Sequence, residues 1–405
     1  MAAPTVVPRG AGALGVAAVA LAAELVRSDS VNPGLVPGAA GEREVVELLD
    51  RRLGTAGFST HVVAPPGHAD RPSLLAASPA VDAGPTVVLT GHLDTVGVAG
   101  MVDPFGARVD ADRLHGRGAC DMKAGVAALV VAAEELLRRT VPARVVLALV
   151  ADEEDRSLGT RTVLETLPRL GIRPDVALVG EPTWLARTVS VRGYALVGVT
   201  LSGRAAHSSQ PGLGVNAVTH LGRLLAAVEE RHRHVAAEGG SLLVTVAEGG
   251  DSPFVLARSA RAVVERRTMP GERSEDALAE VEALLAALRA DDPEVDATAR
   301  LLTARDPWRL DTAGAASALA DALDAALTSS APAGAAPPDP FAAPYWMEAP
   351  LWQAAGVPAV VCGPAGGGLH AAEEWVDLAQ VRRYTHAVVE SVGVFAGEVD
   401  RSGAH

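Results

Sequence analysis

Read for the alternation of apolar and polar positions, the chain opens with short apolar runs separated by helix-length segments. Residues 86–90 (TVVLT), 145–150 (VVLALV), 176–179 (VALV) and 358–362 (PAVVC) each read as a strand buried on both sides. Residues 42–53 carry helical spacing of apolar positions, and 120–137 read as a long, mostly apolar helix. This alternation predicts an α/β class with a doubly wound mixed sheet, covered on both faces. The middle of the chain differs. A strand over 189–201 is followed by a helix at 215–235, strands at 242–246 and 260–266, a helix at 275–289 and a strand at 295–302. The order β-α-β-β-α-β is ferredoxin-like. The expected organisation is therefore a discontinuous catalytic domain, 1–188 with 304–405, interrupted by an α+β lid domain at 189–303. The apolar segment 11–26 is broken by Glu24 and lacks a small-residue cleavage pattern after it. It reads as a buried first helix, not an export signal.

Composition adds limits. A chain of 405 residues exceeds one ordinary core. Aromatic residues make up only 3%, so the core must be built from Val, Leu and Ala. The net charge of −14 argues against a nucleic-acid partner. No run reaches the ~20 apolar residues of a membrane span. Two cysteines, Cys120 and Cys362, indicate a reducing compartment with no disulfide framework, and a cytoplasmic location is expected.

The polar residues stand where an open α/β sheet binds ligands, just past the carboxyl ends of its strands. TVVLT runs into His92 and Asp94, VVLALV into Glu153 and Glu154, VALV into Glu181, and PAVVC into a glycine-rich loop ending at His370. A further loop, HGRGACD, places Asp121 at the start of the long helix. Singly, each has an ordinary explanation: a satisfied loop, a solvated turn, a helix N-cap. Together, at strand ends of one domain, they make a site. Imidazole and carboxylate donors without thiolate suit Zn²⁺, Co²⁺ or Mn²⁺. Two close cations need a bridging carboxylate and room for water.

The segments GHLDTV, GRGACDMKAG, ADEEDRSLGT, GEPT, GRAAHSSQPGLGVNAV, ERRTMPGE and LHAAEEWV occur in an order that resembles the M20 metallopeptidase and deacylase family. Acetylornithine deacetylases, succinyl-diaminopimelate desuccinylases and glutamate carboxypeptidases belong to it. The resemblance implies a catalytic domain holding two divalent metal ions, zinc or cobalt with manganese as a third choice, and a lid that pairs two copies into a homodimer. It implies His92, Asp121 and Glu181 around one metal, and Asp121, Glu154 and His370 around the other. Asp94 would accept the second ring proton of His92. Glu153 would be the general base toward the attacking water. His207, in the lid, would stabilise the oxyanion, and Arg267 would clamp a substrate carboxylate.

Glu181 in GEPT and the stretch 345–350 (YWMEAP), with Glu348 toward a cationic substrate group, resemble the deacylase branch. The expected substrate is a small N-acyl amino acid such as N-acetyl-ornithine. N-succinyl-diaminopimelate or a peptide is the alternative, and a non-catalytic binding protein on the same scaffold is a further reading, against which stands the presence of Glu153 and all five ligand residues. One departure stands out. Where the family often has Asn-x-x-Pro upstream of Arg267, this chain has Phe254-Val255-Leu256-Ala257.

Overall fold

The computed structural model describes residues 10–81 and 84–402. Residues 1–9, 82–83 and 403–405, part of the segments read as catalytic domain, lie outside the described residues. The chain divides into two compact units. One is Met1–Val189 with Leu310–Phe341 and Leu351–His405, and the other is Ser190–Arg309 with Ala342–Pro350.

The first unit is built on a six-stranded mixed sheet. Its strands run, edge to edge, Ser59–Val63, Ser73–Ala77, Arg144–Val150, Thr86–His92, Val176–Val179 and Ala359–Val361. The last four are mutually parallel, with Leu89 opposite both Leu147 and Leu178, and Val360 opposite Leu178. Parallel strands must be covered on both faces, which is why their side chains are apolar on both. Helices Ala11–Arg27, Ala124–Arg139, Gly314–Ser329 and Leu378–Ser402 pack on one another, while Arg43–Ala56 and Leu158–Thr166 pack toward Ser73–Ala77. With few aromatics available, the core is Val, Leu and Ala, closed by Trp352, Tyr384 and Phe395. Among the described residues no helix is long and apolar enough to cross a membrane.

The four parallel strands end on one edge, and that edge presents the loops carrying chemistry. His92 is itself the last strand residue, paired with Val150. The long helix begins at Ala124, not at 120; residues Ala119–Lys123 form a separate one-turn segment in which Asp121 has extended backbone angles (φ −120°, ψ 95°). Two glycines allow the crowding at this edge. A Cβ on Gly125 would lie 2.2 Å from the Gly180 carbonyl oxygen, and one on Gly363 would lie 2.3 Å from the same atom.

The second unit is a four-stranded antiparallel sheet in the order Ser241–Gly249, Ser259–Thr268, Gly193–Ser202, Asp296–Arg305. Burial alternates along Gly193–Ser202, as expected for a sheet with one covered face. Helices Ala217–Ala237 and Asp276–Asp291 cover it through Leu224, Val228, Val281 and Leu285. The single strand expected over 189–201 is two, Thr188–Val191 and Gly193–Ser202, which belong to different sheets.

Helix propensity alone says that Gly125→Ala stabilises by about 1 kcal/mol. The approach to Gly180 reverses the sign. This variant is expected to lose about 1–3 kcal/mol from overpacking, read as a lowered thermal midpoint; a raised midpoint would show that the two segments are not in contact.

Candidate metal centre

Five side chains that the sequence scatters from position 92 to 370 come together in the first unit. His92 Nε2 lies 3.1 Å from Asp121 Oδ1, and His370 Nε2 lies 3.3 Å from Asp121 Oδ2. The Asp121 carboxylate therefore presents one oxygen to each imidazole. Glu181 Oε1 joins on the His92 side at 3.9 Å from Nε2. Glu154 Oε2 joins on the His370 side at 3.1 Å from Nε2. One donor atom each of His92, Asp121 and Glu154 falls within 4.8 Å of the others.

Two loops are tied down by carboxylates that accept backbone N–H groups. Asp94, fully buried, accepts from Glu153 N at 3.0 Å through Oδ1 and from Glu154 N at 3.2 Å through Oδ2. Glu374 accepts from Cys120 N and Asp121 N through Oε1, at 2.8 and 3.0 Å. Its Oε2 accepts from Gly118 N at 3.0 Å and Arg117 Nη1 at 2.6 Å. The role expected of Asp94 needs correction. His92 Nδ1 meets the main-chain oxygen of Asp94 at 3.0 Å, while its carboxylate stands 3.7 Å away. That carboxylate turns instead to the Glu153–Glu154 turn, whose two N–H groups have no other place in a regular element.

The electrostatics follow from packing acids around imidazoles. Burial resists charging of His92, but the bond to Asp121 and the charges of Glu181 and Glu153 outweigh it and raise its pKa well above the ordinary value. His370 is pushed up to about 10 by its bonds to Asp121 and Glu154. Burial raises the Glu154 carboxyl, opposed in part by the His370 bond. Asp121 is buried too, which would raise it, yet the two imidazoles hold it well below the usual carboxylate range.

Divalent cations fit these residues. Among the described residues, Glu154 Oε1 is a buried carboxylate oxygen with no hydrogen-bond partner. A buried carboxylate oxygen left without a partner is costly, and a cation beside it would offset that cost. Two imidazoles and three carboxylates, one of them facing both imidazoles, are the donor types of zinc-like centres.

The remaining expected residues, His207, Arg267 and Glu348, belong to the second unit. His207 is exposed, and its Nδ1 accepts from Ser209 N at 3.2 Å, with the Ser209 hydroxyl 2.8 Å away. Arg267 pairs with Glu265 and lies over the Tyr194 ring at 5.2 Å. Glu348 is 2% exposed. Sequence reasoning passed over Glu374, Arg117 and Asn32. The one signal for Glu374 was its place in LHAAEEWV, four residues after His370.

A metal-type acid–imidazole cluster at the carboxyl edge of a mixed α/β sheet, with a ferredoxin-like second unit, defines a metallohydrolase. The model of Peptidase family M20/M25/M40 matches residues 88–392, and the chain belongs to that family, whose members hydrolyse linear amide bonds. It is 34% identical over 264 residues to a succinyl-diaminopimelate desuccinylase of Cereibacter sphaeroides, covering 62% of this chain and 67% of that protein. It is 35% identical over 181 residues to an acetylornithine deacetylase of Pasteurella multocida, 44% of this chain and 46% of that one. The fold matches a dinuclear metal binding peptidase of the M20 family from Bacillus subtilis, with a TM-score of 0.72, 14% identity, and coverage of 95% of this chain and 99% of that one.

Metal ligation needs unprotonated imidazoles, and in the metal-free chain the surrounding acids raise His92 well above its ordinary value and His370 to about 10. Cation uptake at pH 7 is therefore expected to release protons and to weaken as pH falls. Titration calorimetry in buffers of different ionisation enthalpy measures this; heats independent of the buffer would contradict it.

Proposed function

We propose that this chain is an N-acyl-amino-acid deacylase using two divalent cations, zinc or cobalt, with manganese as a third candidate. His92, Asp121 and Glu181 would hold one, and Glu154, Asp121 and His370 the other. The observation carrying this reading is that the two oxygens of Asp121 face different imidazoles, each of which has its own glutamate beside it. Such cations supply Lewis acidity to the scissile carbonyl and lower the pKa of water to about 7.

The chain's own residues do the proton work. Glu153 takes a proton from the attacking water and returns it to the departing amine nitrogen. The adjacent Glu154 faces His370, so the pair divides base from ligand. His207 receives the Ser209 N–H on Nδ1, which puts its own ring proton on Nε2. It offers that proton to the carbonyl oxygen as charge develops there, from its own chain or from the partner of a homodimer formed through the second unit. Arg267 clamps a substrate carboxylate, and Glu348 pairs with a cationic substrate group. In support, Arg267 is half-buried against an aromatic face and Glu348 is a buried acid. Two buried free thiols, Cys120 and Cys362, support action in the cytoplasm.

An N-acetyl amino acid such as N-acetyl-ornithine is the first substrate, supported by the GEPT and YWMEAP segments. N-succinyl-diaminopimelate is the second, because the relative aligned over more of this chain is named a desuccinylase.

The test is turnover of both compounds and a dipeptide panel by chelated protein, before and after Zn²⁺ or Co²⁺ is restored. Metal-dependent release of the free amino acid is expected; no metal response from any amide would end the proposal. Glu153→Gln is expected to keep its metal while losing about 10²–10⁴-fold in kcat. Loss of metal in that variant would mean the roles of Glu153 and Glu154 are exchanged. His207→Ala is expected to lower kcat about 10²–10³-fold with unchanged metal content, and unaltered kinetics would remove His207 from the mechanism.

A further inference from the structure

Behind the acid–imidazole cluster lies a second group of charged side chains, fully shielded from solvent, that no catalytic step uses. Glu42, Asp94 and Asp152 are 0% exposed and Arg71 is 2% exposed. Arg71 grips both Glu42 oxygens through Nε and Nη2, and its Nη1 reaches Asp152 Oδ1 at 2.8 Å. Glu42 in turn accepts the Asp152 N–H at 3.2 Å. Asp152 needs that grip, since its φ of +66° is a left-handed conformation seldom adopted by a residue with a side chain. It is this bend that starts the turn carrying Glu153 and Glu154.

Asn32 closes the arrangement. Its Nδ2 donates to Asp94 Oδ2 at 2.8 Å and to Asp152 Oδ1 at 3.1 Å, so one neutral amide separates two buried carboxylates. Its Oδ1 accepts from Gly34 N at 2.8 Å, and its own N–H donates to Thr95 O at 2.8 Å, which leaves the amide a single orientation. Asp94 then passes the constraint on in two directions. Its carboxylate receives the Glu153 and Glu154 N–H groups, and its carbonyl receives His92 Nδ1.

We propose that Asn32 and Arg71 are positioning residues. Together with Glu42 and Asp152 they form a buried clamp that sets the Glu153–Glu154 turn against His92. This rests on the deacylase reading above for the roles of the two glutamates. A buried ion group is weak grounds for a stability role, because desolvation offsets most of its attraction. Asn32 holds Asp94, and Asp94 accepts the backbone N–H groups of the base and of a ligand, which points to geometry. Misplacing a reacting group by about 1 Å can cost on the order of 10²-fold in rate.

The first variant is Asn32→Asp, which keeps the shape, loses both N–H donors and sets a third carboxylate beside Asp94 and Asp152, while Asn32→Ala removes the donors without adding charge. It is examined as the Co²⁺-loaded 405-residue chain beside Asn32→Ala and Arg71→Lys. The readouts are kcat and KM on the best N-acyl substrate, the visible Co²⁺ spectrum, metal stoichiometry and the thermal midpoint. Asn32→Asp and Asn32→Ala are both expected to lower kcat about 10–100-fold, with KM within about twofold, an altered Co²⁺ spectrum and unchanged stoichiometry. Arg71→Lys keeps the charge but loses the fork, and should shift the same readouts less. An Asn32→Asp protein with wild-type kcat and spectrum would overturn the proposal. So would variants whose midpoint falls while their folded fraction keeps wild-type kcat, since that is structural support alone. Should the Asn32 substitutions to Asp and Ala not fold, Asn32→Ser, which retains one donor, and Arg71→Lys decide by the same criteria. If the wild-type protein hydrolyses no N-acyl substrate, the deacylase reading fails by itself, and the Co²⁺ spectra of the variants still report whether the clamp shapes the centre.

Discussion

The sharing of one carboxylate between two imidazoles is the constraint on which the first unit depends. Asp121 can face both His92 and His370 only if a strand end, a helix start and a long glycine-rich loop meet within a few ångströms. The parallel strands bring the loops to one edge. Gly125 lets the Glu181 loop sit against the helix that follows Asp121, and Gly363 lets the loop leading to His370 sit against the same Gly180–Glu181 backbone. The short segment Ala119–Lys123 turns the Asp121 carboxylate out of the helix and toward the histidines. Each of these is a backbone feature serving one side chain.

A second principle runs through the centre. Its loops are held by buried anions accepting main-chain N–H groups. Glu374 holds the turn that carries Asp121, and Asp94 holds the turn that carries Glu153 and Glu154. Backbone donors are fixed in the frame of the fold, so a carboxylate that binds two of them orients a loop more firmly than a side-chain pair between flexible groups could. The arrangement concentrates negative charge where the cations proposed here would offset it, which agrees with the orphaned oxygen on Glu154.

The apolar strands of the catalytic unit and the order of elements in the second unit were legible because burial on both faces, or on one, leaves a direct mark on sequence period. The cluster at the strand ends was legible for the same reason: polar residues following an apolar run stand out. Other features left no local mark. Ser73–Ala77 (SLLAA) is a fully buried strand with neither β-branched nor aromatic residues, so its propensity hid it. Glu374 contacts Asp121 across 253 positions, and Asn32 contacts Asp152 across 120, so neither could be paired by inspection. For Asp94, the expected residue is at the centre while its carboxylate and carbonyl serve different neighbours. That choice turns on less than an ångström, between 3.0 and 3.7 Å.

The most direct test of the account is an anomalous diffraction map from crystals grown with Zn²⁺, recorded at the zinc absorption edge. Two peaks, one on each side of the Asp121 carboxylate and within bonding distance of His92 and His370 respectively, are the predicted result. A lone peak elsewhere, or the absence of any peak between these side chains in active protein, would contradict it.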